Sequence, residues 1–256
     1  MEKSALIGYT GFVGGNIAAK HDFTDVYNSS NIAEIEGKEY DLVVSAGAGA
    51  EMWRINQDPQ PDLDNLNSLM DHLKTVKAKQ FVLISSVCVF ADFEGHDETT
   101  EPIGDILPYG VHRLKLEAFV REHFPGALIV RLPGLFGPGL KKNVIYDLLH
   151  DNNVDRIHPG GSFQYYNLEH LWDDIQTALK NHIELLHITS EPVTTDEIAK
   201  GLFDMELPVP ETPAPKKFDL KSIHAEVFGG HDGYLYSKQQ VMDEIKAYVQ
   251  KQKAAM

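Results

Sequence analysis

A chain of 256 residues, 43% hydrophobic and 24% charged, has the composition of a globular protein and the length to bury a full core, as one large domain or a domain with a smaller lobe. Its formal net charge of -15 excludes the clustered Lys and Arg that hold nucleic-acid phosphates, so no nucleic-acid partner is expected. A small phosphate-bearing ligand held by backbone N–H groups stays open. The single Cys88 leaves no internal disulfide framework, no apolar run approaches the roughly 20 residues that span a bilayer, and the chain enters a strand pattern at once rather than a signal peptide. The expected setting is cytoplasmic, with no membrane partner and no metal site.

The first apolar strand, SALIG, runs directly into IGYTGFVGGNI, which puts Gly8, Gly11 and Gly14 at G-x-x-G-x-x-G spacing where strand becomes helix. Glycine there serves a tight turn, close approach of backbone to a pyrophosphate and packing of helix on strand, while the helix N-terminus offers its positive dipole end. A glycine-rich turn without a ligand has the same spacing. The position of this one, heading a strand–helix series, favours a dinucleotide loop formed by Gly8, Thr10, Gly11, Phe12, Val13 and Gly14. The second strand reads TDVY, and its tip is Asn28, Ser29, Ser30, with no carboxylate to accept from a ribose 2′-OH. Asp25 lies too early and reads as a strand-start or turn residue. Uncharged Asn28 and Ser29 tolerate a 2′-phosphate better than an acid would, so NADP(H) is expected ahead of NAD(H).

DLVVSAG, FVLISS, ALIVRL and LLHIT follow as short runs rich in Val, Ile and Leu, the pattern of parallel strands buried on both faces. Between the first two, Leu63, Leu66, Met70, Leu73 and Val76 recur at helical spacing. A helix begins near Tyr109, and Val241, Ile245 and Val249 mark another near the end. This alternation predicts a doubly wound α/β fold with a parallel sheet. The prolines of ELPVPETPAPKK, residues 206–217, bar a regular helix and suggest an extended crossing from the core to a small C-terminal lobe.

GYTGFVG, the small-residue strand end SAGAGA, ISSVCVF, PYGVHRLKLE, RLPGLFGPG and FQYYNLEHLWDDI stand in the order and rough spacing of one family. Over about residues 4 to 190 the chain resembles the extended short-chain dehydrogenase/reductases, the NAD(P)-dependent epimerase/dehydratases that act mostly on nucleotide sugars. The short stretch from Asn16 to Asp41, with little room for a third strand, and the VCVF segment look most like the dTDP-4-dehydrorhamnose reductase branch. The resemblance implies a Rossmann-type core of residues 1–132 plus 154–192 and a substrate lobe of 133–153 plus 193–256. It also implies a sugar-nucleotide substrate and, by family habit, a homodimer through the helices flanking the Tyr109 segment, although Val111, Leu114 and Ala118 could as well face the sheet.

Residue by residue, the resemblance makes Ser86 the hydroxyl that hydrogen-bonds the substrate oxygen and Tyr109 the group that passes a proton to or from it as hydride moves. Ala46, Gly47, Ala48, Pro133 and Gly134 would join the cofactor site. Val87, Cys88, Asn143, Phe163 and Tyr165 would face substrate. The family's lysine, one helical turn after the tyrosine, is Arg113 here; it keeps the charge but not the shape, because a planar fork replaces a compact ammonium. Three readings stand: Arg113 does the lysine's work, or the protein binds cofactor without turnover, or another acid such as His112 or Cys88 serves. His112 reads more simply as a solvated helix residue and Cys88 as a small buried hydrophobe. Lys115 lies on the opposite side of the helix. Because Val87 and Cys88 occupy the places of the Asp-Glu pair of sugar dehydratases, carbonyl reduction or epimerisation is expected and 4,6-dehydration is not. The rival from another class is a cofactor-binding regulatory or scaffolding protein.

Overall fold

All four residues of the first strand, Ser4 to Ile7, are buried, which requires cover on both faces of the sheet. The computed structural model describes residues 3–212, 215 and 217–255. In chain order the elements are β1 (Ser4–Ile7), α1 (Phe12–Ala18), β2 (Asp25–Tyr27), β3 (Glu39–Ser45), α2 (Met52–Gln57), α3 (Gln60–Leu73), β4 (Lys77–Ser86), α4 (Pro108–His123), β5 (Leu128–Leu132), β6 (Gly134–Phe136), α5 (Val144–Leu149), β7 (Ser162–Phe163), β8 (Tyr165–Asn167), α6 (Leu171–Lys180), β9 (Leu185–His187), β10 (Val193–Thr194), α7 (Thr195–Phe203) and α8 (Lys238–Ala255). The central sheet has the order β2-β1-β3-β4-β5-β9. The pairs β1–β2, β1–β3, β3–β4 and β4–β5 are parallel, as the unbroken apolar runs require. One strand lies beyond β1, in keeping with the short Asn16–Asp41 stretch. The chain leaves β1 for β2 and returns on the other side to β3, so the strand order reverses between β1 and β3, where ligands settle in open α/β sheets.

The chain divides into two compact units, the first of Met1–Ala91, Glu101–Leu132 and His170–Leu186, the second of Asp92–Thr100, Pro133–Glu169 and His187–Met256. In the first, Leu66, Met70 and Leu73 of α3 pack with Val76, Phe81 and Leu116 in one buried cluster, and Leu63 is only half-buried. In the second, Val241, Ile245 and Val249 are the buried face of α8. Thr194 and Glu197 cap α7 reciprocally, each side chain accepting from the other's backbone N–H.

The division differs from the one the sequence suggested. Residues 92–100, 154–169 and 187–192 fall in the second unit because their partners are there. Gln164 Nε2 donates to the carbonyls of Ser190 (2.7 Å) and Leu220 (2.9 Å), and Glu98 Oε1 accepts from His187 N (2.7 Å) and Ser222 Oγ (2.6 Å). Residues 206–212 form neither helix nor strand, but the segment begins and ends within the second unit, so it is not a crossing from the core. Pro213, Ala214 and Lys216 of that segment lie outside the described residues.

Candidate active site

The glycine loop is built by contacts that exclude a side chain. Gly8 takes φ +86, and a Cβ there would stand 2.4 Å from Ala46 O; a Cβ on Gly14 would stand 2.1 Å from Gly8 O. The first glycine lets the loop press against the end of β3, and the third lets α1 close onto the loop. Gly11 N donates to Gly8 O (3.0 Å), completing the turn, and Gly11 is the N-cap of α1. Thr10 and Gly11 are exposed, Phe12 and Val13 half-buried. Ala46 and Ala48 are half-buried and Gly47 exposed at the facing strand end. This is a cradle in which backbone is bared at the switch point, and it fits a dinucleotide pyrophosphate.

At the tip of β2, Asn28 Oδ1 accepts from Ser30 N (2.8 Å) and Ser30 Oγ (2.6 Å), while its Nδ2 donates to Tyr9 OH of the glycine loop (3.4 Å). Ser29 is exposed beside it. Asp25 is a structural residue: it accepts from Tyr40 OH (2.6 Å) and lies 3.6 Å from Lys38 Nζ. The Tyr40 hydrogen bond, aided by the Lys38 charge, holds its carboxyl below the usual range.

Ser86 ends β4, and its Oγ accepts from Cys88 N (3.1 Å) in the following turn. Tyr109 enters the first turn of α4, where Asn56 Oδ1 of α2 accepts its backbone N–H (3.0 Å). Gly110 is what lets α4 approach: a Cβ there would stand 2.3 Å from Cys88 O. Its presence after the tyrosine is therefore a packing requirement. Burial pushes the Tyr109 phenol upward; the Arg113 charge and a hydrogen bond with Ser86 pull it down, the Cys88 sulfur and the Asp62 carboxylate oppose them, and the net direction is up. Cys88 is half-buried, and burial raises its thiol as well.

Arg113 does not stand free beside the tyrosine. It is 2% exposed, with its guanidinium carbon 4.6 Å from the Tyr109 ring centroid, and its Nη2 donates to both carboxylate oxygens of Asp62 at 2.9 Å. His112 Nδ1 lies 2.8 Å from Asp62 Oδ2. His112 is thus buried and engaged, not solvated. Arg113 Nε and Nη1 are buried without a hydrogen-bond partner. Lys115 points away and donates to Asn67 Oδ1 (2.7 Å). The same buried face of α4 carries Glu117, which accepts from Ser85 Oγ (2.6 Å), Arg131 Nε (3.0 Å) and Arg131 Nη2 (2.7 Å). Burial opposes its ionisation, and the Arg131 bonds and charge outweigh that, leaving its carboxyl below the usual range.

The structure thus assembles Ser86, Tyr109, Arg113 and Cys88 around one turn, with Val87 buried in it. The other candidates belong to the second unit. Pro133 and Gly134 are half-buried, and Gly134 N donates to Gln164 O (3.1 Å) as β6 pairs with β8. Two substrate expectations change. Asn143 is the N-cap of α5, with Oδ1 accepting from Tyr146 N (3.0 Å) and Nδ2 donating to Leu135 O (2.8 Å), so its amide serves the loop. Tyr165 is core, 3% exposed, and burial raises its hydroxyl. Phe163 is half-buried and tilts against Phe218, centroids 5.6 Å apart.

Asp62, Asn56 and Gly49 were not singled out from the sequence. Asp62 had a signal: with Leu66, Leu69, Met70 and Leu73 it lies on the buried face of α3, a carboxylate where the spacing calls for an apolar residue. Gly49 had none, since only the fold brings it to Asp62, where an added Cβ would lie 3.2 Å from Oδ1.

Among solved structures, a dTDP-4-dehydrorhamnose reductase from Yersinia enterocolitica is similar at 17% identity and TM-score 0.74, covering 97% of this chain and 99% of that one. A UDP-glucose 4-epimerase from Thermotoga maritima with UDP-glucose has 15% identity and TM-score 0.75, over 99% of each chain. A UDP-glucuronic acid 4-epimerase from Bacillus cereus, in complex with a fluorinated UDP-sugar and NAD, has 15% identity and TM-score 0.76, over 99% of this chain and 100% of that one. At these identities the likeness is one of fold. No curated protein sequence matches the chain. The sequence profile of the NAD dependent epimerase/dehydratase family matches residues 16–173, and the chain belongs to that family.

Proposed function

We propose that this protein is an NAD(P)-dependent reductase or epimerase acting on the carbonyl of a nucleotide-linked sugar. The observation that carries the reading is the Ser86–Tyr109 pair at the C-terminal end of β4, held there by the fit of Gly110 against Cys88. A bound nicotinamide would supply or accept the hydride. The chain's own residues do the rest: Ser86 Oγ orients the carbonyl oxygen, and the Tyr109 hydroxyl donates a proton to it in reduction or takes one in oxidation. Gly8, Thr10, Gly11, Phe12, Val13 and Gly14 hold the pyrophosphate, with Ala46, Gly47 and Ala48 facing them. The neutral Asn28 and Ser29 at the β2 tip support NADP(H) ahead of NAD(H), and the Asp25 carboxylate is occupied by Tyr40. The sugar-nucleotide substrate is supported by family membership and by the ligand of the Thermotoga protein. Val87 and Cys88 lack carboxyl groups, which supports reduction or epimerisation over dehydration. Self-association through α4 is supported by the 49% exposure of Val111 on its outward face.

A second reading is favoured by one observation: Arg113 is ion-paired with Asp62, as suits a cofactor-binding protein without turnover. Tyr109→Phe separates the two. Under the first reading it lowers turnover of keto-sugar nucleotides by at least about a hundredfold, the share general acid catalysis supplies, while NADPH affinity followed by nicotinamide fluorescence stays unchanged. A wild-type protein that binds NADPH but turns over no such substrate supports the second; failure to bind either reduced cofactor sinks both.

A further inference from the structure

We propose that Asp62 is a positioning residue that seats the Arg113 guanidinium on the Tyr109 ring, offsets part of its charge, and so keeps Tyr109 a proton donor. The inference rests on the role of Tyr109 in the reading above. A cation one turn from a tyrosine stabilises phenolate less when a carboxylate shares its charge. Here Nη2 of Arg113 spans both oxygens of Asp62 at 2.9 Å, His112 Nδ1 adds a third contact at 2.8 Å, and the carboxylate is 7% exposed. The carboxylate thus lies against the guanidinium and offsets part of its charge. It also fixes the cation against the ring face, 4.6 Å from the centroid.

The groups around Tyr109 come from every neighbouring element. Its own helix brings Arg113 and His112, α3 brings Asp62, and the turn after β4 brings Cys88 and Ser86. From α2, Asn56 is neutral and Arg54 is turned to Glu51 (3.4 Å). Burial, the dominant influence, disfavours phenolate; the Arg113 charge and the Ser86 hydrogen bond offset it only in part, and the Asp62 carboxylate works against them. At neutral pH the phenol therefore carries its proton. In reduction the O–H bond of Tyr109 would break and its proton go to the carbonyl oxygen, the hydride for the new C–H bond being what a bound reduced nicotinamide would supply, and solvent would then reprotonate the phenolate. Oxidation, which needs phenolate at the start, is disfavoured until the pH is raised.

The test is an absorbance titration of tyrosinate in the cofactor-free protein, with the Tyr109→Phe variant subtracted to isolate Tyr109. In the wild type Tyr109 should ionise above pH about 10, the free tyrosine value. In Asp62→Asn its ionisation should move to lower pH by at least tenfold in acidity, and that signal should vanish in Asp62→Asn/Tyr109→Phe. Ionisation of wild-type Tyr109 below pH about 10 overturns the proposal, and this arm decides even if Asp62→Asn does not fold. Unchanged Tyr109 acidity in a folded Asp62→Asn overturns it as well. Loss of cofactor binding, measured separately by nicotinamide fluorescence, would speak against the proposed function and leave the titration result standing.

Discussion

Two buried arginines meet the same helix one turn apart, and they are finished differently. Arg131 and Arg113 are each 2% exposed, and each lies over an aromatic ring, Phe90 at 5.4 Å and Tyr109 at 4.6 Å. Arg131 reaches Glu117 with Nε and Nη2, and Ser85 fills a further lone pair of the acid. Arg113 gives Asp62 only Nη2 and keeps Nε and Nη1 without partners. A buried charge pair repays its desolvation only when the remaining donors and acceptors are satisfied. The Glu117 cluster meets that condition and is scaffold. The Asp62 cluster does not, and it lies against the tyrosine on which the chemistry would turn.

The largest expected effect breaks the scaffold side. Glu117→Gln leaves Arg131 charged and buried without its acid and should lower unfolding free energy by about 3–5 kcal/mol in urea titration, with NADPH affinity of the folded fraction unchanged. The folded-state carboxyl of Glu117 is depressed, so its contribution is full above the unfolded value of about 4.3 and lost as pH falls from there through the folded value. The acid limb of the wild-type stability profile should be flatter in Glu117→Gln. An equal slope would show that Glu117 is not the group responsible.

Next in size is the contrast between neighbouring serines. Ser85→Ala removes a hydrogen bond to a buried carboxylate and should cost about 1.5–3 kcal/mol while sparing turnover of folded protein. Ser86→Ala removes the bond from Cys88 N and the one with Tyr109, about 0.5–1.5 kcal/mol each, and should reduce turnover far more than stability. Equal effects on both properties from both serines would erase the distinction between scaffold and site. The smallest expected change is Arg113→Lys, which keeps the charge opposite Asp62 and loses about one hydrogen bond, about 0.5–1.5 kcal/mol by thermal unfolding. A much larger loss would mean that the Asp62 cluster is scaffold too.

How legible these clusters were depends on how local their causes are. The five main strands and the helices at Leu63, Tyr109 and Val241 follow from apolar runs and helical spacing, which are properties of adjacent residues. The Gly8–Gly14 loop was readable for the same reason. The domain boundary was not, because Gln164, Glu98 and Leu220 find their partners across 26 to 125 positions of chain. His112 looked solvated because Asp62, its partner, is 50 positions away.

By itself, the sequence determined the α/β class, the parallel sheet and the glycine loop, since periodicity, turn chemistry and motif spacing all act over a few residues, and its resemblance to a known family supplied the candidacy of Ser86, Tyr109 and Arg113. Only the tertiary structure decided what Arg113 does with its charge, that Gly110 is the seat of the Tyr109 turn, that Glu117 and Arg131 form the support behind it, and that Asn143 and Tyr165 are spent on capping and packing. The physical reason is that ion pairing and burial depend on which distant groups are brought within about 3 Å in a site cleared of water. Such meetings are created by folding.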